Sequence, residues 1–496
     1  MISRRTVLGG MASVVASRAQ RKKPNFLFIL ADDHAGYVLG ADGNRLARTP
    51  NLDRFASESV RFSRHYCNSP VCTPSRQSFF TGQMPHMAGV TRLPTPLSEE
   101  KPTLAKQFQK AGYTTAVFGK MHFIKPGVAG MHGIEIVHTE DVLTAEWQRQ
   151  VKPAPLPAGV KTKPLPWRPL QDPARIWLNA DRLPYPRQDL EMRASFQVDQ
   201  AERFLEDHKD KPFALWVSFM EPHSPFDYPI DFADKFPPGN FRVPDAGPED
   251  AGQIPLIFRD LTPGDKQGII AAYYTSVEFL DRNIGRVLRK LADLNLADNT
   301  FVVYMSDHGY VLGQHGRFEK HCGYDPALRV PLLMRYPGRV RPGVVRDLTE
   351  HIDVPATITD VMELDPLPIQ HGRSLRPYLE HRRIGPRDHI FSEYLENDEA
   401  YIRTDRWKFI YGSGKRARKD GYVTDNPAPG RYTILYDLHA DPGEFHNVAK
   451  RNVKVCDYLI GLLLDRFRRT HPDAGQEPRG LSQEDIVDWY LRPRDV

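Results

Sequence analysis

Short, unbroken apolar runs recur along this chain, and several stop abruptly at charged or imidazole side chains. Phe26-Leu27-Phe28-Ile29-Leu30-Ala31 ends in Asp32-Asp33-His34. Residues 113–118 lead into Gly119-Lys120-Met121-His122, and residues 213–219 into Glu221-Pro222-His223. Residues 300–305 lead into Ser306-Asp307-His308-Gly309. Apolar runs of this length without alternation predict strands buried on both faces, as in a parallel sheet. Residues 330–336 predict one more short strand. Between the runs lie helical patterns: 50–62 with Thr49 as N-cap, 102–111 closed by Gly112, 195–208, and a long one over 265–293. Strand and helix alternate, which predicts an α/β fold with a large, mostly parallel sheet sandwiched by helices.

From about residue 380 the texture changes. Residues 388–394, 399–404 and 406–411 predict short strands, the last two joined as a hairpin around Thr404-Asp405. A basic loop (415–421), a strand at 432–438, a turn at Asp441-Pro442-Gly443-Glu444 and a helix at 451–469 follow. This predicts a catalytic domain over 24–380 and a smaller C-terminal α+β subdomain with an antiparallel sheet over 381–496. Residues 152–187 are rich in proline, with Trp167, Trp177 and Tyr185, and predict no regular element. Such a segment is either an ordered loop over a pocket mouth or a plain insertion.

Composition narrows the functional classes. The chain has 496 residues with 67 basic and 62 acidic side chains, a net charge of +5. That dispersed excess argues against nucleic acid as a partner. The four cysteines (67, 72, 322 and 456) have no CxxC spacing and are too few for a disulfide scaffold. The first twenty residues stand apart: Ser3-Arg4-Arg5-Thr6 precedes a weakly apolar, small-residue segment reaching Ala19. This looks like a twin-arginine export signal and implies a periplasmic or secreted protein. It is too short and polar to span a bilayer stably, and no later stretch is apolar enough, so stable membrane insertion is not expected.

One stretch stands out chemically: Cys72-Thr73-Pro74-Ser75-Arg76. Pro74 suits a first helical turn, which places Cys72 at a helix N-terminus, where free N–H groups and the dipole favour an anion. Local physics alone reads equally as a buried structural cysteine. The strand ends change that reading. In open α/β sheets ligands bind outside the C-terminal strand ends. Asp32, Asp33, Asp307 and His308 there suit a hard divalent cation. Lysines, histidines and Arg76 would surround a tetrahedral anion, and metal with cations would stabilise charge on a transferring group. That is the chemistry of sulfate- or phosphate-type ester hydrolysis. A zinc site at His321 and Cys322 lacks a partner motif. A cysteine protease leaves the carboxylates and lysines unexplained.

Taken in order, Asp32-Asp33, Cys72-Thr73-Pro74-Ser75-Arg76 with Thr81-Gly82, Gly119-Lys120-Met121-His122, His223, Ser306-Asp307-His308-Gly309, and Gly313-Gln314-His315-Gly316 to Lys320 form one ordered set. Milder marks follow at Asp353–Thr357, Gly372–Leu375 and Leu435–Glu444. On these, residues 24 to 450 resemble the type I (formylglycine-dependent) sulfatases of the alkaline-phosphatase-like superfamily. In motif style they are similar to iduronate- and choline-type sulfatases.

The resemblance implies that Cys72 is oxidised to formylglycine by a dedicated formylglycine-generating enzyme, and that the aldehyde hydrate is the nucleophile. It implies metal ligation by Asp32, Asp33, Asp307, His308 and the oxygen at position 72. The expected ion is Ca2+, with Mn2+ or Mg2+ as alternatives. It implies that Arg76 orients the hydrate and that Lys120 and Lys320 bind sulfate oxygens. His122 would assist the hydrate and His223 would protonate the leaving oxygen, although the two imidazoles could divide that work differently. His308 stands where many arylsulfatases carry Asn. The substrate expected is a sulfate ester of a carbohydrate or small organic alcohol. A phosphonate or phosphate monoester hydrolase on the same scaffold is the alternative, and an inactive sulfated-glycan-binding protein is the non-enzymatic one.

Overall fold

The computed structural model describes residues 23–165, 173–382, 384–414, 421–424 and 430–493. The export-signal expectation, Trp167 and most of the basic loop at 415–421 lie outside them. Asn25–Ala31 forms the middle of an eight-stranded sheet, flanked in parallel by Phe213–Ser218 and Thr300–Ser306. Beyond Phe213–Ser218 come Thr114–Gly119 and Ile136–Thr139, also parallel. On the other side lie Leu332–Arg335, Val60–Phe62 and Gly343–Val345. Leu332–Arg335 alone among these strands runs against its neighbours.

Both sheet faces are covered, which is why the strands read as continuous apolar runs. Leu27, Ile29, Leu215 and Val217 pack on one face with Tyr273, Val277 and Leu280 of the long helix Pro263–Asp293. Phe26, Phe28, Trp216 and Val303 pack on the other with Phe79 and Phe80 of the helix Cys72–Thr81. A smaller antiparallel sheet, in the order His389–Tyr394, Glu399–Thr404, Trp407–Gly412, Tyr432–Asp437, is covered by the helices Val453–Thr470 and Gln483–Tyr490. Large sheet, flanking helices and C-terminal antiparallel sheet agree with the expected fold class.

Two local expectations need correction. The helix expected over 50–62 stops at Ser57, and Val60–Phe62 is a strand. Leu52, Ala56 and Val60 keep helical spacing, but pairing of Val60 with Met334 and Gly343 draws the chain out. Nor does the Thr49 side chain cap this helix. Asp281, from the long helix, accepts hydrogen bonds from the Asn51 and Leu52 N–H groups instead. The strand expected over 330–336 is two: Arg329–Val330 in a three-stranded sheet and Leu332–Arg335 in the main one, divided at Pro331, which has no N–H to give a ladder. Within 152–187, the described residues hold one short helix, Ala174–Trp177. Lys163 ties this segment to the main body by donating to Pro225 O and Asp227 Oδ1, both at 2.7 Å.

Candidate active site

Strand register builds the site. Gly119 pairs with Ser218, Ser218 with Leu30, and Ala31 with Ser306. The strands therefore finish almost level, and Lys120, Asp32 and Asp307 are the first residues beyond them. Gly119 has φ of +106°, and a Cβ there would lie 1.9 Å from Ser218 O, so glycine is required for the turn that delivers Lys120. Asp33 takes φ of +67°, a conformation aspartate tolerates better than most side chains. Its backbone is pinned: Tyr273 Oη donates to Asp33 O at 2.6 Å and accepts from Ala35 N at 2.9 Å.

Opposite the strand ends, Val71 is extended and Cys72 opens the Cys72–Thr81 helix, so position 72 sits at the positive end of a helix dipole. Gly82, in the left-handed region, ends it. Cys72 is 2 % exposed. Its Sγ lies 3.2 Å from His308 Nε2 and from Lys320 Nζ, 3.6 Å from Asp32 Oδ1 and 3.8 Å from Lys120 Nζ. Arg76, one turn on and fully buried, donates from Nε to Asp307 Oδ2 at 2.8 Å, from Nη1 to Ser218 Oγ at 2.8 Å, and to Lys120 O. Lys120 Nζ is bonded to Asp32 Oδ2, and Lys320 Nζ donates to Asp33 Oδ1 at 2.9 Å.

The structure thus brings Asp32, Asp33, Cys72, Arg76, Lys120, Asp307, His308 and Lys320 into one buried cluster. His122 joins it from the side. Thr73 Oγ1 donates to Leu93 O, so the His122 Nδ1–H donates to that hydroxyl at 3.1 Å, and the other ring nitrogen is left for Cys72. His223 lies at the open edge with its side chain 24 % exposed. Its Nδ1 donates to Ser224 O, and Nε2 faces Asp33 Oδ2 at 4.0 Å.

Electrostatics are dominated by cations. Burial would raise the Cys72 thiol, but Lys120, Lys320 and His308 outweigh it and hold the group well below its ordinary value. Burial and Cys72 push Asp32 up, while Lys120, His223 and Arg76 prevail and keep its carboxyl ionised. Burial lifts Asp307 to about 6 despite Arg76, and Asp307 lifts His308 to about 9 against burial. Burial and Lys120 both lower His122.

The donor chemistry fits a divalent cation. Ligand atoms of Asp32, Cys72, Asp307 and His308 lie within 4.8 Å of one another, as do those of Asp32, Asp33, Cys72 and His223. Asp33 Oδ2 is buried without a hydrogen-bond partner, an anionic oxygen that calls for a cation. Three carboxylates with one imidazole suit a hard to borderline ion. His308 Nδ1 donates to Gly309 O at 3.1 Å, leaving Nε2 turned toward Cys72, the nitrogen that would face a cation held there.

Several supporting residues were not singled out by the sequence. Ser75 Oγ donates to Asp307 O and contacts His351 Nδ1, and Glu140 accepts from Met121 N at 3.1 Å. Ser218 and Tyr273 hold Arg76 and Asp33. Ser75 lies inside the cysteine motif and Ser218 closes a strand, so position hinted at both; Tyr273 looks like any helical core residue.

Comparison with known proteins agrees with this geometry. The family model described as "Sulfatase" matches residues 24–364, and that described as "N-sulphoglucosamine sulphohydrolase, C-terminal" matches residues 313–463. Human iduronate 2-sulfatase is 32% identical over 488 residues, covering 89% of this chain and 84% of that protein. The choline-sulfatase of Rhizobium meliloti is 28% identical over 504 residues, covering 95% of this chain and 91% of that protein. Among solved structures, the phosphonate monoester hydrolase of Agrobacterium radiobacter superposes with a TM-score of 0.76 at 24% identity, over 92% of this chain and 97% of that one, and so shares the fold. Among the described residues no helix is long and apolar enough to cross a membrane. Fold, cluster and family match converge: the chain belongs to the formylglycine-dependent sulfatase family of the alkaline-phosphatase-like superfamily, related to the iduronate- and choline-type sulfatases, and is a sulfatase-type hydrolase.

Proposed function

We propose that this protein hydrolyses the sulfate ester of a carbohydrate or small organic alcohol at position 72. The observation that carries this reading is Cys72 Sγ lying 3.2 Å and 3.8 Å from two lysine ammoniums at a helix N-terminus. A nucleophile so placed meets a tetrahedral anion with its oxygens already neutralised. Matured to formylglycine by a formylglycine-generating enzyme, position 72 supplies an aldehyde hydrate, one hydroxyl for attack at sulfur and a second to expel sulfate. A divalent cation, Ca2+ by preference and Mn2+ or Mg2+ as alternatives, supplies charge to the same oxygens when held by Asp32, Asp33, Asp307 and His308.

The chain's own residues do the rest. Lys120 and Lys320 bind the ester's non-bridging oxygens, and in doing so turn from Asp32 and Asp33 toward the ligand. Arg76 fixes Asp307 and the backbone before Met121, keeping the cluster in register. His122, its Nδ1–H anchored on Thr73, holds Nε2 toward position 72 to accept a hydroxyl proton. His223, at the solvent side, donates from Nε2 to the leaving oxygen. Lys163, bonded to Pro225 and Asp227 just beyond His223, fixes its stretch of chain at the solvent side of the site.

Two measurements test this. Peptide mass spectrometry over residues 65–76 reads conversion of the thiol to the aldehyde. Turnover of an aryl sulfate is then compared with that of a phosphonate monoester. Higher kcat/KM for the sulfate is expected; the reverse order would assign the monoester hydrolase instead. An unmodified thiol in native protein with no turnover of either would point to a binding protein. For its compartment we propose export through the Arg4-Arg5 leader, tested by retention of the double Arg→Lys variant in the cytoplasm.

A further inference from the structure

Beside the Cys72 cluster lies a cavity of about 420 Å³ that the reacting groups do not fill. Lys120 and His122 close the end nearest Cys72. One wall is the helix Glu140–Gln150, on which Glu140, Thr144 and Gln148 recur every fourth residue. That spacing lines them up on one face over roughly 12 Å. The adjoining stripe of this helix, Leu143 and Trp147, packs on Phe196. The cavity side is therefore the polar side. Arg193 and Met220 form the opposite wall.

Arg193 is the uncommitted charge here. Its guanidinium makes one weak contact, Nη1 to Thr144 Oγ1 at 3.3 Å, and among the described residues no carboxylate forms an ion pair with it; it acts at longer range on the buried Glu221, whose carboxyl burial nevertheless lifts to about 7, so little negative charge is there to neutralise it. The acidic groups across the cavity are already used. Glu140 Oε2 accepts from Met121 N, and Asp141 accepts from Gly127 N at 3.1 Å and Thr139 Oγ1 at 2.6 Å. Lys120 is held by Asp32. A half-buried guanidinium without a close carboxylate, beside a reaction centre and across from amide and hydroxyl groups, is the receiving end of an ion pair.

Resting on the sulfatase reading, we propose that this cavity is the subsite for the alcohol part of the substrate, and that Arg193 selects alcohols bearing a second oxyanion, either a carboxylate or another sulfate. The volume fits a monosaccharide ring with its substituents. The planar fork of Arg193 matches two oxygens of either anion, while Gln148 and Thr144 offer groups for ring hydroxyls. A cationic alcohol would meet Arg193 and Lys120 and be disfavoured.

The test uses the full chain carrying formylglycine and three substrates: a hexose monosulfate, a uronic acid monosulfate and a hexose disulfate. In the wild type, kcat/KM is expected to favour one anion-bearing substrate over the neutral one, and which of the two is favoured identifies the oxyanion. In Arg193→Ala that preference is expected to fall by roughly 10- to 100-fold, with Arg193→Lys keeping part of it. An undiminished preference in Arg193→Ala, or a wild type that favours the neutral hexose, overturns the proposal. Should Arg193→Ala fail to fold, Gln148→Glu decides: it adds a negative charge on the exposed facing wall, and an unchanged preference there is equally fatal. Failure of the underlying reading shows separately, as absent turnover of an aryl sulfate by the wild type. The subsite is then judged by calorimetry with the sulfate-free uronic acid, where binding at least about tenfold weaker in Arg193→Ala upholds it and equal affinity overturns it.

Discussion

Glu350 and Asp33 are both buried carboxylates facing buried cations, yet their oxygens are used differently. Glu350 Oε1 accepts from Phe391 N at 2.7 Å and Arg466 Nη2 at 3.1 Å; Oε2 accepts from Arg466 Nη1 at 3.0 Å and lies 3.2 Å from Arg387 Nη1. Arg387 in turn grips Asp353, whose other oxygen accepts from Glu350 N. These bonds join the Thr349–Glu350 strand to the C-terminal sheet and its Val453–Thr470 helix. Asp33 has Lys320 on one oxygen and no hydrogen-bond partner on the other. The first cluster is saturated and acts as a fastener. The second keeps acceptor capacity open, with the Cys72 sulfur placed beside the same lysines that meet Asp32 and Asp33. Buried charge alone therefore does not mark a functional site; unspent bonding capacity does.

The sharpest way to break this contrast is Cys72→Ala. It should abolish turnover by roughly 10⁴-fold or more while leaving the thermal unfolding transition in place. Near wild-type activity would sink the mechanism. Asp33→Asn comes next, removing the unpartnered anionic oxygen. It should reduce turnover by about 10³-fold and, in calorimetry, weaken binding of the activating cation, whereas a variant that binds the cation normally would reassign Asp33.

The saturated cluster should respond in the opposite currency. Glu350→Gln leaves Arg387 and Arg466 facing an amide, and denaturant unfolding should show about 3–5 kcal/mol less stability, with turnover per folded molecule little changed. A pH series sharpens this further. Burial would raise Glu350, but Arg387 and Arg466 hold it down to about 2, below its ordinary 4.5. A depressed pKa stabilises the fold above the unfolded value, so this contribution is complete above 4.5 and is lost as pH falls toward about 2. It is worth on the order of 3 kcal/mol, and the wild type should lose it over that window while Glu350→Gln does not. Smallest of all, Tyr273→Phe removes the hydroxyl that bridges Asp33 O and Ala35 N. Turnover should fall roughly 10-fold, with a matching rise in the cation concentration required. A fall in turnover without that shift would make Tyr273 merely structural.

How far these features were legible follows from what fixes each of them. Buried strands announce themselves because both faces are apolar, so the order of strand ends, and with it Asp32, Lys120, His223 and Asp307, could be read directly. The short segment Val60–Phe62 could not: its apolar spacing also continues a helix, and only its neighbours in the sheet resolve the ambiguity. Capping by Asp281 was equally hidden, since its partner helix lies over two hundred residues away in sequence.

The sequence by itself determined the kinds of chemistry available: a cysteine motif able to open a helix, carboxylates and imidazoles at strand ends, and lysines to meet an anion. Those are properties of residue type and local periodicity. What only the tertiary structure decided is which groups are spent and which are free. Level strand ends bring Lys120 and Asp32 to Cys72, Lys320 arrives from a distant loop, and Arg193 comes to the cavity with no carboxylate at ion-pair distance among the described residues. Hydrogen-bond saturation is a sum over neighbours from many segments, so no single stretch of chain can encode it.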